Sequence, residues 1–275
     1  MKVFLTGGSG YVGRPTVRAL TRHGHEVSAL ARSDASARVL TELGAHPVHG
    51  DLTDVGVLRT AAAAADGVLH LGQHYGDDTA EVDRAAADAL QEGLGDRGPY
   101  VHTGGVWVYG DTAGVVDEDA PQNPPAITAW RRANEERVMS HGGHPVLVMP
   151  GLVYGLGGGL IELFFRAPVP LIGDGANHWA VVHASDLAEL YALALQAPPK
   201  SVYAGVSGQN VRLADIVTAL AAGNPITRLT LAEAVERMGP IAEAFALDQQ
   251  LTPARAHREL GWTPRHLDAL TELRG

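Results

Sequence analysis

The 275-residue sequence contains no cysteine, which excludes disulfides, thiolate metal sites and a cysteine nucleophile. Lysine is almost missing as well: of 21 basic residues only Lys2 and Lys200 are lysines. Acids outnumber bases to give a net charge of -10. Nucleic acid is therefore not an expected partner, because neutralising phosphates takes clustered cations. No apolar run approaches the length of a membrane span, and the first residues read as a core strand rather than a leader. The expectation is a soluble, cytoplasmic protein with no membrane partner and no metal.

What is present begins at once, with MKVFLTGGSGYVG. Val3, Phe4 and Leu5 form a short apolar run closed by Thr6, and Gly7, Gly10 and Gly13 follow at three-residue spacing into a helical pattern. This reads as strand, tight turn and helix start. Glycine suits such a turn because a side chain would block an approaching pyrophosphate, while the helix N-terminus offers free N–H groups and a positive dipole end. An ordinary glycine-rich loop is the competing reading. Against it stands a second strand candidate, Glu26 to Leu30, which completes a βαβ unit. Thr6 to Gly13, with Tyr11 and Val12, is the expected pyrophosphate turn.

Further apolar runs at Val27–Leu30, His46–His49, Val68–Leu71, Tyr100–Thr103 and Val146–Met149 alternate with helical patterns. That alternation predicts an α/β fold, a Rossmann-like doubly wound parallel sheet with right-handed crossovers. The expected division is a dinucleotide-binding core over 1–155 and a small substrate lobe over 156–275 with segments returning to the core. The proline-rich acidic segment from Thr112 to Pro125 reads as a loop before a helix starting near Ile127. Loops after strand C-termini line the ligand crevice of such a sheet.

After the second strand stands Ala31-Arg32-Ser33-Asp34, where NAD-specific enzymes usually place an acid on the ribose hydroxyls. A guanidinium and a hydroxyl there favour a 2′-phosphate, so NADPH is expected over NADH. A solvated Arg32 and a helix-capping Ser33 are the plainer alternatives.

The glycine spacing resembles that of the extended and atypical short-chain dehydrogenase/reductases, and the likeness runs the length of the chain. Asp51 with Leu52 matches the family's residue at the adenine, although Asp51 reads equally as a helix cap. Leu71 and Gly72 match its turn against the cofactor, and Met149-Pro150-Gly151-Leu152-Val153-Tyr154-Gly155 resembles its Arg-Pro-Gly-x-Val-Tyr-Gly segment, which places Pro150, Leu152 and Val153 beside the nicotinamide. The stretch Pro170 to Ala188 resembles the link to the substrate lobe, with Asp186 read as a cap, and Leu260-Gly-Trp-Thr-Pro264 the closing motif.

The resemblance fails where the family does its chemistry. Its Ser, Tyr and Lys fall on Gly105, Trp130 and Asn134, and neither lysine of the chain is near enough to shift the register. Thr103, two residues before Gly105 and on the same face of an extended strand, is the first choice for a residual hydrogen-bond donor and a cofactor contact. His74, His102 and His178 are weaker, and His183 is expected to pack. Gln73, His74 and Tyr75, with Gly105, Val106, Trp107, Trp130 and Tyr154, are the expected substrate wall. Loop polarity explains the first three equally well, and core packing the aromatics, Trp179 included.

Losing a well-placed acid slows proton transfer by about 10²–10⁴-fold, whereas holding donor beside acceptor still supplies roughly 7–11 kcal/mol. A ketone with a neighbouring phenol carries its own proton donor. A tyrosine-less member of this architecture resembles the antibiotic-pathway ketoreductases of the angucyclinone type, such as that of simocyclinone biosynthesis. The implied activity is an NADPH-dependent ketoreductase acting on a bulky aromatic polyketide ketone, its proton coming from substrate or water. A non-catalytic NADP-binding regulator or scaffold is the alternative. A nucleotide-sugar epimerase or dehydratase comes third, since it relies on the same missing pair. Whether the chain is a monomer or homodimer stays open.

Overall fold

The apolar runs form strands and the stretches between them helices: β1 (Lys2–Thr6), α1 (Gly13–Arg22), β2 (Glu26–Ala31), α2 (Asp34–Glu42), β3 (His46–His49), α3 (Val55–Ala63), β4 (Gly67–His70), α4 (Thr79–Leu94) and β5 (Pro99–Thr103). A 3-10 turn over Ala126–Thr128 then leads into α5 (Ala129–Ser140). These come from a computed structural model that describes residues 1–274. The central sheet is parallel and has seven strands, in the order Ser201–Gly205, His144–Pro150, β5, β4, β1, β2, β3. The expected α/β class is the one found. β4 stops at His70 rather than Leu71, because the Gly72 N–H leaves the ladder and donates to Thr6 Oγ1 at 3.0 Å. The strand Ser201–Gly205, far along the chain from its neighbours, was not among the expected runs.

Two compact units make up the chain: Met1–Gly104 with Ala133–Val148 and Leu187–Val202, and Gly105–Arg132 with Met149–Asp186 and residues 203–274. In the first, side chains alternate across the sheet. Phe4, Val68 and Tyr100 point to one face, where they pack with Leu58, Ala86, Leu90 and Val138 of α3, α4 and α5. Two residues further along each strand the same face turns polar, at Thr6, His70 and His102, all buried. Parallel register sets these three side by side, Thr6 opposite His70 and His70 opposite His102.

In the second unit the strand Leu152–Tyr154 pairs with His178–His183, which pairs in turn with Asn210–Arg212. An aromatic core of Phe165, Trp179 and Phe245 meets mostly edge to face, with centroids 5.1 to 5.5 Å apart. Asp186 is a latch for the tail. Its carboxylate accepts the N–H groups of Arg265 and His266 at 3.0 and 2.9 Å, while its carbonyl accepts the Trp262 indole at 2.9 Å.

Candidate functional site

The glycine turn of the first unit is built by close approach. Gly7 has φ +74°, and a Cβ there would lie 2.7 Å from the Gly72 nitrogen; a Cβ on Gly13 would strike the Gly7 carbonyl oxygen. Gly10 N–H donates to Gly7 C=O at 2.9 Å, drawing the turn tight. Tyr11 and Val12, both half-buried, lead into α1, whose start has neither a side-chain cap nor an acid in its first turn. In its first turn Arg14 N–H donates to the Gly10 carbonyl at 3.0 Å and Pro15 has no N–H, so what is left for an anion is the dipole and the turn that precedes the helix. This cradle fits a dinucleotide pyrophosphate.

At the end of β2 Ala31 is buried, whereas Arg32 is exposed and has no hydrogen bond or ion pair among the described residues. Ser33 caps α2, accepting the Ser36 N–H at 3.2 Å. Asp51 holds a turn, its Oδ1 accepting the Thr53 N–H at 3.2 Å and its N–H donating to Asp54 at 2.7 Å. The residue that precedes α3 is Asp54, so Asp51 is not a helix cap. Leu52 reaches across to Gly72, where an added Cβ would meet Leu52 Cδ2 and Thr6 Oγ1, each at 3.1 Å. Beyond the half-buried Leu71 and Gly72, Gln73 is exposed, His74 pairs with Asp78 at 2.9 Å, and Tyr75 is 83% exposed.

The three positions expected to match the family's Ser, Tyr and Lys have distinct environments. Asn134 is buried on α5 and committed inward: Nδ2 donates to Asp83 Oδ2 at 2.9 Å and to the Ala80 carbonyl at 3.0 Å. Thr103, the expected hydrogen-bond donor, has a partner within the fold. Its Oγ1 is bonded to the Tyr191 hydroxyl at 2.9 Å, on the sheet face opposite α4 and α5. His102, set aside as facing the other way, is the β5 side chain that points toward those helices, with its Nδ1 taking the Tyr100 hydroxyl at 3.0 Å.

In the second unit Gly105 is extended and an added Cβ would meet nothing within 4 Å, so a serine side chain has room there. Trp130 is half-buried and stacks against the Arg131 guanidinium at 4.6 Å. Val106 is buried, and half-buried Trp107 packs its edge on Phe245. Pro150 and Val153 are half-buried and Leu152 is in the core. Tyr154 departs from the expected substrate wall: it is fully buried, its hydroxyl donates to the His266 carbonyl at 3.0 Å, and burial pushes its pKa up to about 12. Trp179 is likewise a core residue, its indole donating to Phe245. His178 pairs with Asp248 and His183 with Glu272, each at 2.9 Å.

Sequence reasoning missed three polar residues, Asp83, His70 and Tyr191. His70 Nδ1 meets Thr6 Oγ1 at 2.6 Å, and its Nε2 faces Asp83 Oδ1 at 3.6 Å. Burial alone raises the Asp83 pKa, but the His70 ring facing it, the neighbouring His102 and the Asn134 amide outweigh it and hold the carboxyl well below its usual range. The available signal was that His70 and His102 follow apolar strand residues at even spacing.

Comparison with known proteins is consistent along the chain. An uncharacterized protein of Saccharomyces cerevisiae is 29% identical over 301 residues, covering 100% of this chain and 98% of its own. A 4-hydroxy-2-methyl-3-oxo-4-farnesyl-3,4-dihydroquinoline-1-oxide ketoreductase of Stigmatella aurantiaca is 28% identical over 326 residues, covering 100% and 96%. Among solved structures, DesIV, a dTDP-glucose 4,6-dehydratase of Streptomyces venezuelae with NAD and TYD bound, superimposes with a TM-score of 0.82 at 22% identity over 100% of this chain and 96% of its own; at that identity the likeness is one of fold. The profile of one family matches residues 3–205. With a glycine cradle fitted to a dinucleotide and a match over most of its length, the chain belongs to the NAD dependent epimerase/dehydratase family.

Proposed function

We propose that the protein is an NADPH-dependent ketoreductase of this oxidoreductase family whose substrate is a bulky aromatic ketone of the polyketide type and whose proton comes from the substrate or water. The observation that carries this reading is the commitment of Asn134. At the position of the family's lysine stands an amide whose donors are spent on Asp83 and Ala80, beside Trp130 in place of the tyrosine. The chain's own groups then bind and orient rather than exchange protons. The turn from Thr6 to Gly13 takes the pyrophosphate, and Arg32 takes the 2′-phosphate through charge-assisted hydrogen bonds. When bound, the dinucleotide supplies the hydride.

A ketone with an adjacent phenol suits such a site, because an internal hydrogen bond steadies the developing alkoxide. The Stigmatella relative supports the reading: by name it is a ketoreductase of a bicyclic aromatic-fused ketone, and it aligns over the full chain. A 2-alkyl-3-oxoalkanoate reductase of Stenotrophomonas maltophilia, 26% identical over 319 residues, points to ketone reduction as well.

The test uses the purified protein in parallel assays: NADPH oxidation with a phenol-flanked polycyclic ketone and with a 3-oxoalkanoate, and product formation from dTDP-glucose with NAD, because epimerisation and dehydration return the hydride and consume no NADPH. Turnover of the polycyclic ketone alone is expected. Turnover of the nucleotide sugar alone would move the chain to the epimerase and dehydratase reading, and NADPH binding without turnover of any would make it a cofactor-binding regulator.

A further inference from the structure

On the sheet face covered by α3, α4 and α5, three neighbouring strands, β1, β4 and β5, change from apolar to polar near their C-terminal ends. Phe4, Val68 and Tyr100 are followed on that face by Thr6, His70 and His102, at the edge where the crevice loops begin. Buried polar groups cost stability unless their partners are in place. Here Thr6 and His70 stand in line with Asp83. Gly72 N–H donates to Thr6 Oγ1 at 3.0 Å, and the same oxygen lies 2.6 Å from His70 Nδ1. With Nδ1 as acceptor of the Thr6 hydroxyl hydrogen, the ring proton sits on Nε2, 3.6 Å from the Asp83 carboxylate. Asp83 is anchored by Asn134 at 2.9 Å, and its side chain is only 12% exposed.

Thr6 and Gly72 belong to the two loops that form the pyrophosphate cradle, and they touch: a Cβ on Gly7 would lie 2.7 Å from the Gly72 nitrogen. The Thr6 hydroxyl can hold Gly72 in place only while its own hydrogen is directed elsewhere. His70 directs it. We propose that His70 is a positioning residue for the dinucleotide, fixing the Thr6–Gly72 contact between the two cradle loops, with Asp83 and Asn134 as its anchor on α4 and α5. In this account the position of the family's lysine serves the cofactor from behind, by holding the carboxylate that holds the histidine.

The inference rests on the dinucleotide reading of the glycine turn, and the experiment separates the two. The dissociation constant for NADPH is measured by calorimetry, and the unfolding midpoint separately, for wild type, His70→Gln, His70→Leu, Thr6→Ser and Thr6→Val. Glutamine offers an acceptor to Thr6 and a donor to Asp83; leucine offers neither. His70→Leu and Thr6→Val are expected to weaken NADPH about tenfold, the worth of one directed hydrogen bond, while His70→Gln and Thr6→Ser stay within about threefold of wild type. A merely structural histidine would lower the unfolding midpoint of His70→Leu and leave its dissociation constant, and that result overturns the proposal. If His70→Leu does not fold, the threonine pair decides: equal affinity of Thr6→Val and Thr6→Ser is contrary to it. No dinucleotide binding by wild type would overturn the reading of the glycine turn and this inference with it.

Discussion

Asn134 and Asp83 are joined on the buried side of α5, with the amide nitrogen 2.9 Å from the carboxylate. That bond bears on whether the family's Tyr and Lys, placed at 130 and 134, would act as they do elsewhere in the family. In the variant Trp130→Tyr with Asn134→Lys, the new ammonium would stand against a buried carboxylate and pair with it. Turnover of the ketone by this double variant is expected to stay within about threefold of wild type, measured as NADPH oxidation under saturating cofactor. A hundredfold gain, roughly 2.7 kcal/mol of barrier, would show that Asn134 is free to be replaced by a working lysine.

Arg32 is the residue proposed to set the cofactor preference. It is exposed and unpaired among the described residues, so its charge is free for a phosphate. Arg32→Ala should weaken NADPH by about 1.5–3 kcal/mol and leave NADH nearly unchanged. Equal loss for both cofactors by calorimetry contradicts the assignment.

The glycines divide by what surrounds them. Gly105 opens onto free space and Gly13 abuts the Gly7 carbonyl. Gly105→Ser is expected to change stability by no more than about 0.5 kcal/mol, read from denaturant unfolding, whereas Gly13→Ala should abolish binding of either dinucleotide. A Gly13→Ala protein with wild-type affinity would refute the cradle as described.

The fold was legible because its signals are local. Strand runs, the glycine turn and helical spacing are read within a dozen residues, and the strands begin and end close to where the apolar runs do. The site was legible only as far as backbone spacing carries. Alternation told that Thr103 and His102 face opposite ways, but not which face α5 covers, and so the favoured hydroxyl was the one that Tyr191, 88 residues away, holds on the far side. The Asp83 cluster depends on pairings across 13 to 64 residues; nothing near Asp83 in the alanine-rich α4 announces a buried carboxylate. Tyr154 misled for the related reason that an aromatic in a motif carries no mark of how deeply it packs.

The histidine pair of the second unit makes its stability depend on pH. His183 lies face to face with His266, ring centroids 3.7 Å apart, and burial followed by the charge of His266 lowers its pKa from 6.5. Below 6.5 the unfolded chain therefore binds a proton that the folded chain resists, so the stability contributed by neutral His183 is present at higher pH and falls as pH drops through that value. The loss of unfolding free energy from about pH 8 to about pH 5 should be smaller in His183→Gln than in wild type. Parallel slopes for the two proteins would remove His183 as the cause.

The central claim is that the substrate, and not a side chain, delivers the proton, and it is tested most directly by altering the substrate. The measurement is the turnover number for a phenol-flanked polycyclic ketone and for its O-methyl ether, with NADPH affinity held constant, alongside Thr103→Val and Tyr191→Phe. Methylation is expected to lower turnover by about 10²–10⁴-fold, the worth of a well-placed acid, and the two side-chain variants by no more than about tenfold. Equal turnover of the phenol and its ether, with a loss of about a thousandfold in one of the variants, would place the acid in the protein and contradict the account.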